Sequence, residues 1–160
     1  MIEISEYTPD DRRAVIDLIL DIQNNEFGIA ITEEQQPDLQ DIPSFYQHGN
    51  GNFWVAMHQG IVVGSISLLD IGNGESALRK MFVRSKFRGK RYGVSSSLLR
   101  HALDSARSND VQRIYLGTTS QFLAAHRFYE RNGFVEISRS RLPQTFPIMT
   151  VDSKFYLYAF

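Results

Sequence analysis

Two segments of the chain combine residue types and spacings that could do chemistry. The first is the range 81–94, in which a short apolar strand ends at Val83, a basic turn with two glycines follows, and a helix opens near Tyr92. This order sets unpaired backbone N–H groups and the positive end of a helix dipole beside several cationic side chains. We therefore expect the turn to bind a diphosphate or a similar anion. The second is the range 124–134, where a predicted helix ends at an Asn-Gly pair suited to a left-handed cap.

The basic residues of the chain are concentrated around the first segment. Residues 79–91 contain seven Lys and Arg residues and no acid, whereas residues 1–41 hold eleven of the eighteen acids and only two bases. A basic run is most often a solvated surface and sometimes a nucleic-acid patch. Because the rest of the chain is acidic and would repel a polyanion, the run favours a small phosphorylated ligand over nucleic acid.

Length and composition indicate a single domain that spans residues 1–160. The chain is 42% hydrophobic and 22% charged, which is ordinary for a globular protein, and it is long enough to bury a core without disulfides. It has no cysteine, which excludes disulfides, thiolate metal sites and thiol nucleophiles. The first residues do not resemble a signal peptide, and the apolar runs are too short to span a bilayer. We therefore expect a cytoplasmic protein that does not associate with membranes.

The spacing of apolar and turn residues predicts the elements that position the two segments. The first helix starts with Thr8 as N-cap and Pro9 at the first helical position. Strands are predicted by alternating or short apolar runs, at about 2–7, 53–57, 61–69, 76–83, 114–116, 134–137 and 154–158. Helices are predicted by apolar residues at helical spacing, at about 9–22, 39–47, 94–106 and 120–131. The fold class is therefore α/β, with the three strands between residues 53 and 83 forming a meander.

Two motifs connect this element order to a known family, namely RGKRYG at 88–93 and FYERNGF at 128–134. Together they resemble the GNAT superfamily of acetyl-CoA-dependent N-acetyltransferases over essentially the whole chain. The resemblance implies a GNAT-like fold, in which a mixed and mostly antiparallel central sheet has flanking helices. It also implies acetyl-CoA as co-substrate, no metal, and transfer of the acetyl group to a primary amine by direct attack in a ternary complex. The rival anion-binding motifs, a dinucleotide Gly-x-Gly-x-x-Gly and a P-loop, are absent.

The resemblance assigns the cofactor to the first segment. It implies that backbone groups of Met81, Phe82 and Val83 contact the pantetheine arm and that the amides of residues 89–94 cradle the pyrophosphate. Glycines in the turn let the backbone approach a ligand, and the helix that follows adds its dipole. Arg91 stands where the family usually has glycine, so it is either an added phosphate contact or a solvated surface residue. The expected cofactor-binding residues are Met81, Phe82, Val83, Arg88, Gly89, Lys90, Arg91, Tyr92, Gly93 and Val94.

Tyr129 is the expected catalytic residue. In the family the tyrosine of this motif protonates the departing CoA thiolate, and a phenol with a pKa near ~10 is protonated at neutral pH. The alternative is that Phe128 and Tyr129 are both core aromatics, although two adjacent residues do not share one helical face. The asparagine that the family carries seven residues before this tyrosine falls on Phe122, so a usual hydrogen bond on the cofactor side is missing.

The general base is where the sequence departs most from the family. Many relatives carry a glutamate on the strand before the phosphate turn, at positions that match Ala77 and Arg79 here. Glu75 lies on the same alternating face and is a candidate, with an exposed turn residue as the alternative. His126 lies one turn before Tyr129 and could act through water, or it could be a packed or surface histidine. An amine that arrives deprotonated would need no base from the protein.

Arg79 leads to a hypothesis about the acceptor. Strand alternation puts it on the face of Ala77 and Met81, which in the family looks toward the reacting groups. An arginine there would repel a cationic amine and could hold a carboxylate or phosphate with two hydrogen bonds. We therefore expect a small-molecule amine acceptor that carries its own acid, such as an amino acid. The alternative is that Arg79 pairs with Glu75 or with a cofactor phosphate.

Three further expectations concern function class, specificity and assembly. A GNAT-like fold could also bind acyl-CoA only as a sensor or interaction module, because fold does not guarantee activity. Acceptor specificity is expected in the loops at 26–37 and 142–152. The final residues 155–160 are apolar on both faces of a strand and too adhesive for an open sheet edge, so they either pair in a homodimer or are buried within the monomer.

Overall fold

The computed structural model describes residues 1–160 and contains a seven-stranded sheet with helices on both faces. The strands are β1 (Ile2–Glu6), β2 (Asn52–His58), β3 (Ile61–Gly72), β4 (Glu75–Val83), β5 (Arg113–Thr118), β6 (Val135–Ile137) and β7 (Lys154–Ala159). The helices are α1 (Arg12–Leu20), α2 (Ile42–Tyr46), α3 (Val94–Ser108) and α4 (Leu123–Arg131). The strand order is β1-β2-β3-β4-β5-β7-β6, and every neighbouring pair is antiparallel except β4 and β5. The predicted fold class is therefore confirmed.

Different helices cover the two faces of the sheet. Because side chains alternate along a strand, β2 sends Trp54 and Ala56 into the core beneath α3 and α4 and sends Phe53 and Val55 into the core beneath α1 and α2. The first core is the larger, with 19 buried residues against 12. Each fully buried leucine or isoleucine in these cores stabilises the fold by about 1.5–3 kcal/mol relative to an exposed one. None of the helices has the length and apolar character that crossing a bilayer requires.

Strand β4 carries a one-residue bulge in its second half. Ser67 of β3 lies opposite Arg79 and Ser65 lies opposite Phe82, so three steps along β4 match two steps along β3. The extra residue is Lys80, whose backbone has a left-handed φ of 53°. The buried hydroxyls of Ser65 and Ser67 donate to the carbonyl oxygens of Lys80 and Arg79, each at 2.7 Å. These bonds satisfy bulge carbonyls and hold the backbone in a shape that redirects the side chains.

The parallel strands β4 and β5 separate after a short pairing. Their register pairs Glu75–Ala77 with Arg113–Tyr115, and no further residues of the two strands are paired. The separated halves, residues 78–82 and 116–118, line a cleft between the strands. Helix α4 follows β5 at this opening, which brings its side chains to the cleft. The fold thus supplies a gap in an otherwise continuous sheet.

The C-terminal strand is interior, which corrects one premise of the sequence analysis. Strand β7 pairs with β5 on one side and with β6 on the other. Its residues Phe155 and Tyr156 are buried in the monomer. The apolar character of this strand is therefore explained by its position between two neighbours and not by a need for a partner subunit. The homodimer stays a prediction, but an open sheet edge can no longer be given as the reason for it.

Helices α2, α3 and α4 begin later than the sequence suggested, and α1 continues further. Helix α3 begins at Val94 and not near Tyr92, because Gly93 has a left-handed φ of 64° that cannot extend the helix. Helix α4 begins at Leu123, three residues after the predicted start at 120. Helix α1 continues into a π-helical turn over Asp21–Glu26, part of which was expected to be a polar connector. Such turns are frequent at functional sites.

Candidate active site

The cleft between β4 and β5 gathers side chains from five parts of the chain. Its walls come from the two strands, from the segment 29–36 after the π-helical turn, from the loop 146–152 before β7, and from Tyr129 of α4. The two loops that were expected to hold acceptor specificity, 26–37 and 142–152, both contribute to this lining. The cleft is therefore the candidate active site.

Arg79 and Lys80 both reach into this cleft although they are neighbours in one strand. Both side chains approach the same carboxylate oxygen, Oδ2 of Asp38, at 4.0 and 3.6 Å. The phenol of Tyr46 donates to that oxygen at 2.5 Å, so the Asp38 carboxylate is held from three sides. Asp38 is 2% exposed. One buried carboxylate thus holds two cations at this wall of the cleft.

The bulge changes the face on which Met81 lies relative to Arg79, and the prediction from strand alternation is therefore wrong in part. Arg79 shares a face with Ala77, as expected. Its guanidinium stacks over the ring of Phe45, 5.5 Å from the centroid, and Leu69 on this face packs against both the core that Phe45 borders and the core that contains Ala77. Met81 lies on the opposite face, in the core beneath α3 and α4. The extra residue at Lys80 shifts the alternation by one position, which separates Arg79 from Met81 and brings Lys80 to the side of Arg79.

Arg79 does not pair with Glu75, which was one of its expected alternatives. Besides Asp38, its guanidinium contacts Met149, donating to the thioether sulfur at 3.3 Å. Glu75 is buried near the start of β4, where its carboxylate lies 3.6 Å from the guanidinium of Arg113. The hydroxyl of Tyr115 donates to the same carboxylate at 3.4 Å. Glu75 therefore has partners of its own and does not line the cleft.

Lys80 is held by buried amides as well as by Asp38. Its ammonium donates to Oε1 of Gln36 at 2.6 Å, and the side-chain amides of Gln36 and Gln23 bond each other at 2.9 and 3.1 Å. Burial lowers the pKa of Lys80 to about 8, while the Asp38 carboxylate opposes that shift. Lys80 is therefore still mostly cationic at neutral pH.

Asp152 lies on the cleft wall formed by the loop before β7. Its Oδ2 accepts a hydrogen bond from the backbone N–H of Met149 at 2.9 Å. Burial raises the pKa of Asp152, and the nearby charges of Arg79, Lys80 and Arg139 work in the opposite direction. The carboxylate packs directly on Gly117 of β5, since a Cβ at that glycine would lie 2.6 Å from Oδ2. Only a residue without a side chain fits beneath it.

Tyr129 reaches the cleft from α4 and is 6% exposed. Its hydroxyl contacts the sulfur of Met81 at 3.7 Å, and its ring packs against Phe134 and Tyr156 with centroids 5.5 and 6.0 Å away. Burial raises the pKa of the phenol well above its ordinary value, so Tyr129 stays protonated at neutral pH. The adjacent Phe128 is only partly buried, and Tyr129 is the inward-facing residue of the pair.

The turn between β4 and α3 presents a bare backbone. Gly89 and Gly93 have φ values of 89° and 64°, and a Cβ on either would meet no atom within 4 Å. Arg91 keeps a negative φ, so its side chain is accommodated where the family usually has glycine. It is exposed and stacks on the ring of Tyr92 at 5.2 Å. Open space above two left-handed glycines and the start of α3 is suited to bind an anion.

The basic run 79–91 divides into three groups with different surroundings. Arg79 and Lys80 belong to the cleft. Arg84 and Arg88 tie the turn to the π-helical segment, since Arg84 bonds Asp21 at 2.6 Å and Arg88 forms a two-pronged pair with Glu26. Arg88 also donates to the carbonyl oxygen of Val83 at 2.8 Å. The remaining bases, Lys86, Lys90 and Arg91, are exposed.

His126 lies outside the cleft although it is on the same helix as Tyr129. It is 8% exposed, with its Nε2 2.9 Å from the carbonyl oxygen of Thr119 and its ring 6.2 Å from that of Tyr156. Sequence reasoning missed three charged residues that the structure gathers at the cleft. Lys80 was noted only as part of the basic run. Asp38 lies in a short 3-10 helix and Asp152 in a loop, and neither segment has a recognisable motif. Their polarity alone gave no signal, because most loop aspartates are solvated.

Comparison with known proteins identifies the class to which this site belongs. The acetyltransferase (GNAT) family matches residues 16–134, and the chain therefore belongs to that family. Among solved structures, an acetyltransferase of the GNAT family from Staphylococcus aureus Mu50 has a TM-score of 0.95 and 39% identity, with 99% of each chain covered. The PaiA N-acetyltransferase from Thermoplasma acidophilum, in complex with coenzyme A, has a TM-score of 0.75 over 100% of this chain and 99% of that chain. At 16% identity, this second likeness shows the fold alone.

Curated relatives add a more specific likeness. N-acetylaspartate synthetase of Danio rerio is 37% identical over 115 residues, which cover 71% of this chain and 40% of that protein. Its counterparts from Xenopus tropicalis and Homo sapiens are 40% and 36% identical over 104 and 105 residues, which cover 62% and 64% of this chain. The matched region spans only 34–40% of the length of these relatives.

Proposed function

We propose that this chain is an acetyl-CoA-dependent N-acetyltransferase whose acceptor is a small acidic amino acid, and that residues 1–160 act as one catalytic domain. The observation that carries the proposal is the pair of cations, Arg79 and Lys80, in a cleft that also contains Tyr129. Membership of the GNAT family supports the reaction. The charge of the cleft supports the acceptor.

The acceptor follows from counting charges. An acidic amino acid has two carboxylates and one ammonium group. Arg79 and Lys80 together carry two positive charges, and Asp38 and Asp152 are the two acids near them. Asp38 is buried behind the cations, whereas Asp152 lines the cleft and can attract the ammonium group. A polyamine would bring more positive charge to this wall and be repelled, whereas two carboxylates would each find a donor. The likeness to proteins named N-acetylaspartate synthetase supports the same substrate class.

Acetyl-CoA would lie along the second half of β4 and over the turn that follows. In this proposal the backbone of Met81, Phe82 and Val83 bonds the pantetheine arm, and the amides of residues 89–94 hold the pyrophosphate. Arg88 is occupied by Glu26 and the Val83 carbonyl, so its role is to fix the shape of the turn. The exposed bases Lys90 and Arg91 are free to contact phosphate oxygens.

The proposed reaction is direct attack by the acceptor amine on the thioester carbonyl. A new C–N bond forms, the C–S bond breaks, and the CoA thiolate leaves. Tyr129 gives its proton to that thiolate, for which it is suited because its buried phenol is fully protonated at neutral pH. Glu75 and His126 were candidates for the general base. Glu75 pairs with Arg113 and His126 contacts the carbonyl oxygen of Thr119, so neither has a role in this proposal.

The experiment that tests the function is an acceptor screen. Purified protein is mixed with acetyl-CoA and single acceptors, and both free CoA thiol and acetylated product are measured, the latter by mass spectrometry. We expect turnover with aspartate or glutamate and much less with their amides, with spermidine or with an aminoglycoside. Turnover only with amines that lack a carboxylate would refute the acceptor class. Tight acetyl-CoA binding by calorimetry without CoA release from any amine would favour a non-catalytic sensor.

A further inference from the structure

We infer that Asp152 is the general base of this reaction and accepts the proton that the acceptor's ammonium group must lose. The inference rests on the proposed function for the existence of an amine acceptor. In many relatives a glutamate on the strand before the phosphate turn has this role. Ala77 and Arg79 stand at those positions here, and neither side chain can accept a proton. Asp152 reaches the cleft from a different element, the loop before β7.

The two carboxylate oxygens of Asp152 have different surroundings. Oδ2 accepts the N–H of Met149, whereas Oδ1 has no hydrogen-bond partner within the protein. Only one side-chain polar atom of the protein is both sealed from solvent and without a hydrogen-bond partner, and it is Nδ1 of His58. Since Oδ1 of Asp152 has no partner and is not that atom, it is accessible to solvent. Asp152 lines the cleft, and in the proposed mechanism this unpaired oxygen accepts the proton. A base needs such an oxygen.

The backbone around Asp152 holds the carboxylate in place before any substrate binds. The N–H of Ser153 donates to the carbonyl oxygen of Thr118 at 2.9 Å, which fastens the loop to β5. Gly117 lets the carboxylate lie against the strand itself. The carboxylate therefore has a defined position between the loop and β5.

The other charged groups of the cleft are less suited to the role. Asp38 is almost fully buried and its Oδ2 is shared by Tyr46, Lys80 and Arg79. Lys80 is cationic at neutral pH and would repel an ammonium group. Asp152 has the opposite sign and attracts one.

Burial and neighbouring charges act on the pKa of Asp152 in opposite directions. Burial raises its pKa, which makes the carboxylate a stronger base than an exposed aspartate. The charged groups that face it are Arg79 and Lys80 from β4 and Arg139 from the turn after β6, and all three favour the ionised form. The net effect is a raised pKa, because burial outweighs these charges.

The protons of the reaction balance with these two groups. The acceptor nitrogen starts as an ammonium and loses two protons while it becomes an amide. Asp152 takes the first and releases it to water, which leaves a neutral amine to attack. The thiolate takes the proton of Tyr129, and the resulting phenolate takes the second proton from the acylated nitrogen. One proton is released for each acetyl group transferred.

The test is the pH dependence of kcat/KM for Asp152→Asn. In the wild type, the rate should fall as pH drops through the pKa of Asp152, because only the ionised carboxylate accepts a proton. In Asp152→Asn we expect a loss of about 10²–10⁴-fold at neutral pH and a rate that keeps rising with pH as more of the free acceptor is deprotonated. The Kd for acetyl-CoA should not change. Retention of the wild-type rate and of its acidic limb would overturn the inference.

A second variant and a control complete the experiment. Gly117→Ala keeps the carboxylate but pushes it from its place, so kcat should fall here too while acetyl-CoA still binds; an unchanged kcat would count against the inference. Asp104→Asn, on the exposed face of α3, should leave the pH profile as it is. If the wild type acetylates only amines without a carboxylate, the acceptor class is wrong, and the same profiles measured with those amines still decide the role of Asp152. If no amine is acetylated, both proposals are wrong.

Discussion

Replacing Arg79 with alanine should weaken the binding of an acidic acceptor without weakening the binding of acetyl-CoA. A hydrogen bond between two charged groups is worth about 1.5–3 kcal/mol. That range corresponds to an increase in KM for the acceptor of about 10- to 150-fold. The full range applies because the side chain of Arg79 is only 10% exposed, so solvent screens the interaction little. The increase in KM should not exceed this range, because Lys80 remains to hold the second carboxylate of the acceptor.

The substitution should leave the fold intact. Asp38 keeps Tyr46 and Lys80 as partners and is not left as an unpaired buried charge. The contact of the guanidinium with the Phe45 ring is lost, which removes about 0.5–2 kcal/mol of stability. At about 2–4 °C per kcal/mol for a chain of this size, the melting temperature should fall by only a few degrees.

The assay compares steady-state kinetics for an acidic amino acid and for its side-chain amide, with the acetyl-CoA Kd measured by calorimetry. We expect Arg79→Ala to lose selectivity between the two acceptors. Arg113→Ala is the matched control, because it removes an arginine from a carboxylate at the other end of the same strand pair. The reasoning is refuted if the loss falls on acetyl-CoA, or if the acid and the amide are affected equally.

Two further substitutions test the cofactor side. Tyr129→Phe keeps the ring packing and loses only the hydroxyl, so turnover at saturating acetyl-CoA should fall about 10²–10⁴-fold while the Kd for acetyl-CoA stays the same; unchanged turnover would remove Tyr129 from the mechanism. Gly93→Val should weaken CoA binding strongly, because a side chain would occupy the open space above the turn and strain a φ of 64°. Its control is Gly60→Val, with a φ of 78°, equally open space and a place in the β2–β3 hairpin. Equal calorimetric affinity for both glycine variants would contradict the phosphate site.

The fold could be predicted from the sequence to the extent that local patterns determine it. Strand alternation, the Thr8–Pro9 helix start and the glycine turns gave the order of elements, and the two motifs gave the family. The place of β7 could not be predicted in this way. A strand that pairs with β5 and β6 is specified by contacts between distant residues, which a single run of apolar side chains does not reveal.

The candidate site was predictable where its residues share one segment and not where they come from several. Gly89, Gly93 and Tyr129 carry their own local signals, and their proposed roles follow from them. Asp38 and Asp152 are 114 positions apart, and each lies in a segment between larger elements whose sequence looks like any polar connector. Only the folded chain shows that one of them is locked to Tyr46 and the other keeps a free oxygen at the cleft.

The bulge in β4 explains how the cleft obtains its second cation. In a regular strand Lys80 would point to the same side as Leu78, into the apolar core beneath α3, where an unpaired ammonium is very unfavourable. The extra residue turns Lys80 to the side of Arg79, where Asp38 and Gln36 receive it. The conformation persists because Ser65 and Ser67 supply hydroxyl donors to the bulge carbonyls. Two small polar residues on β3, a strand outside the cleft lining, thus set the charge that we propose selects an acidic acceptor.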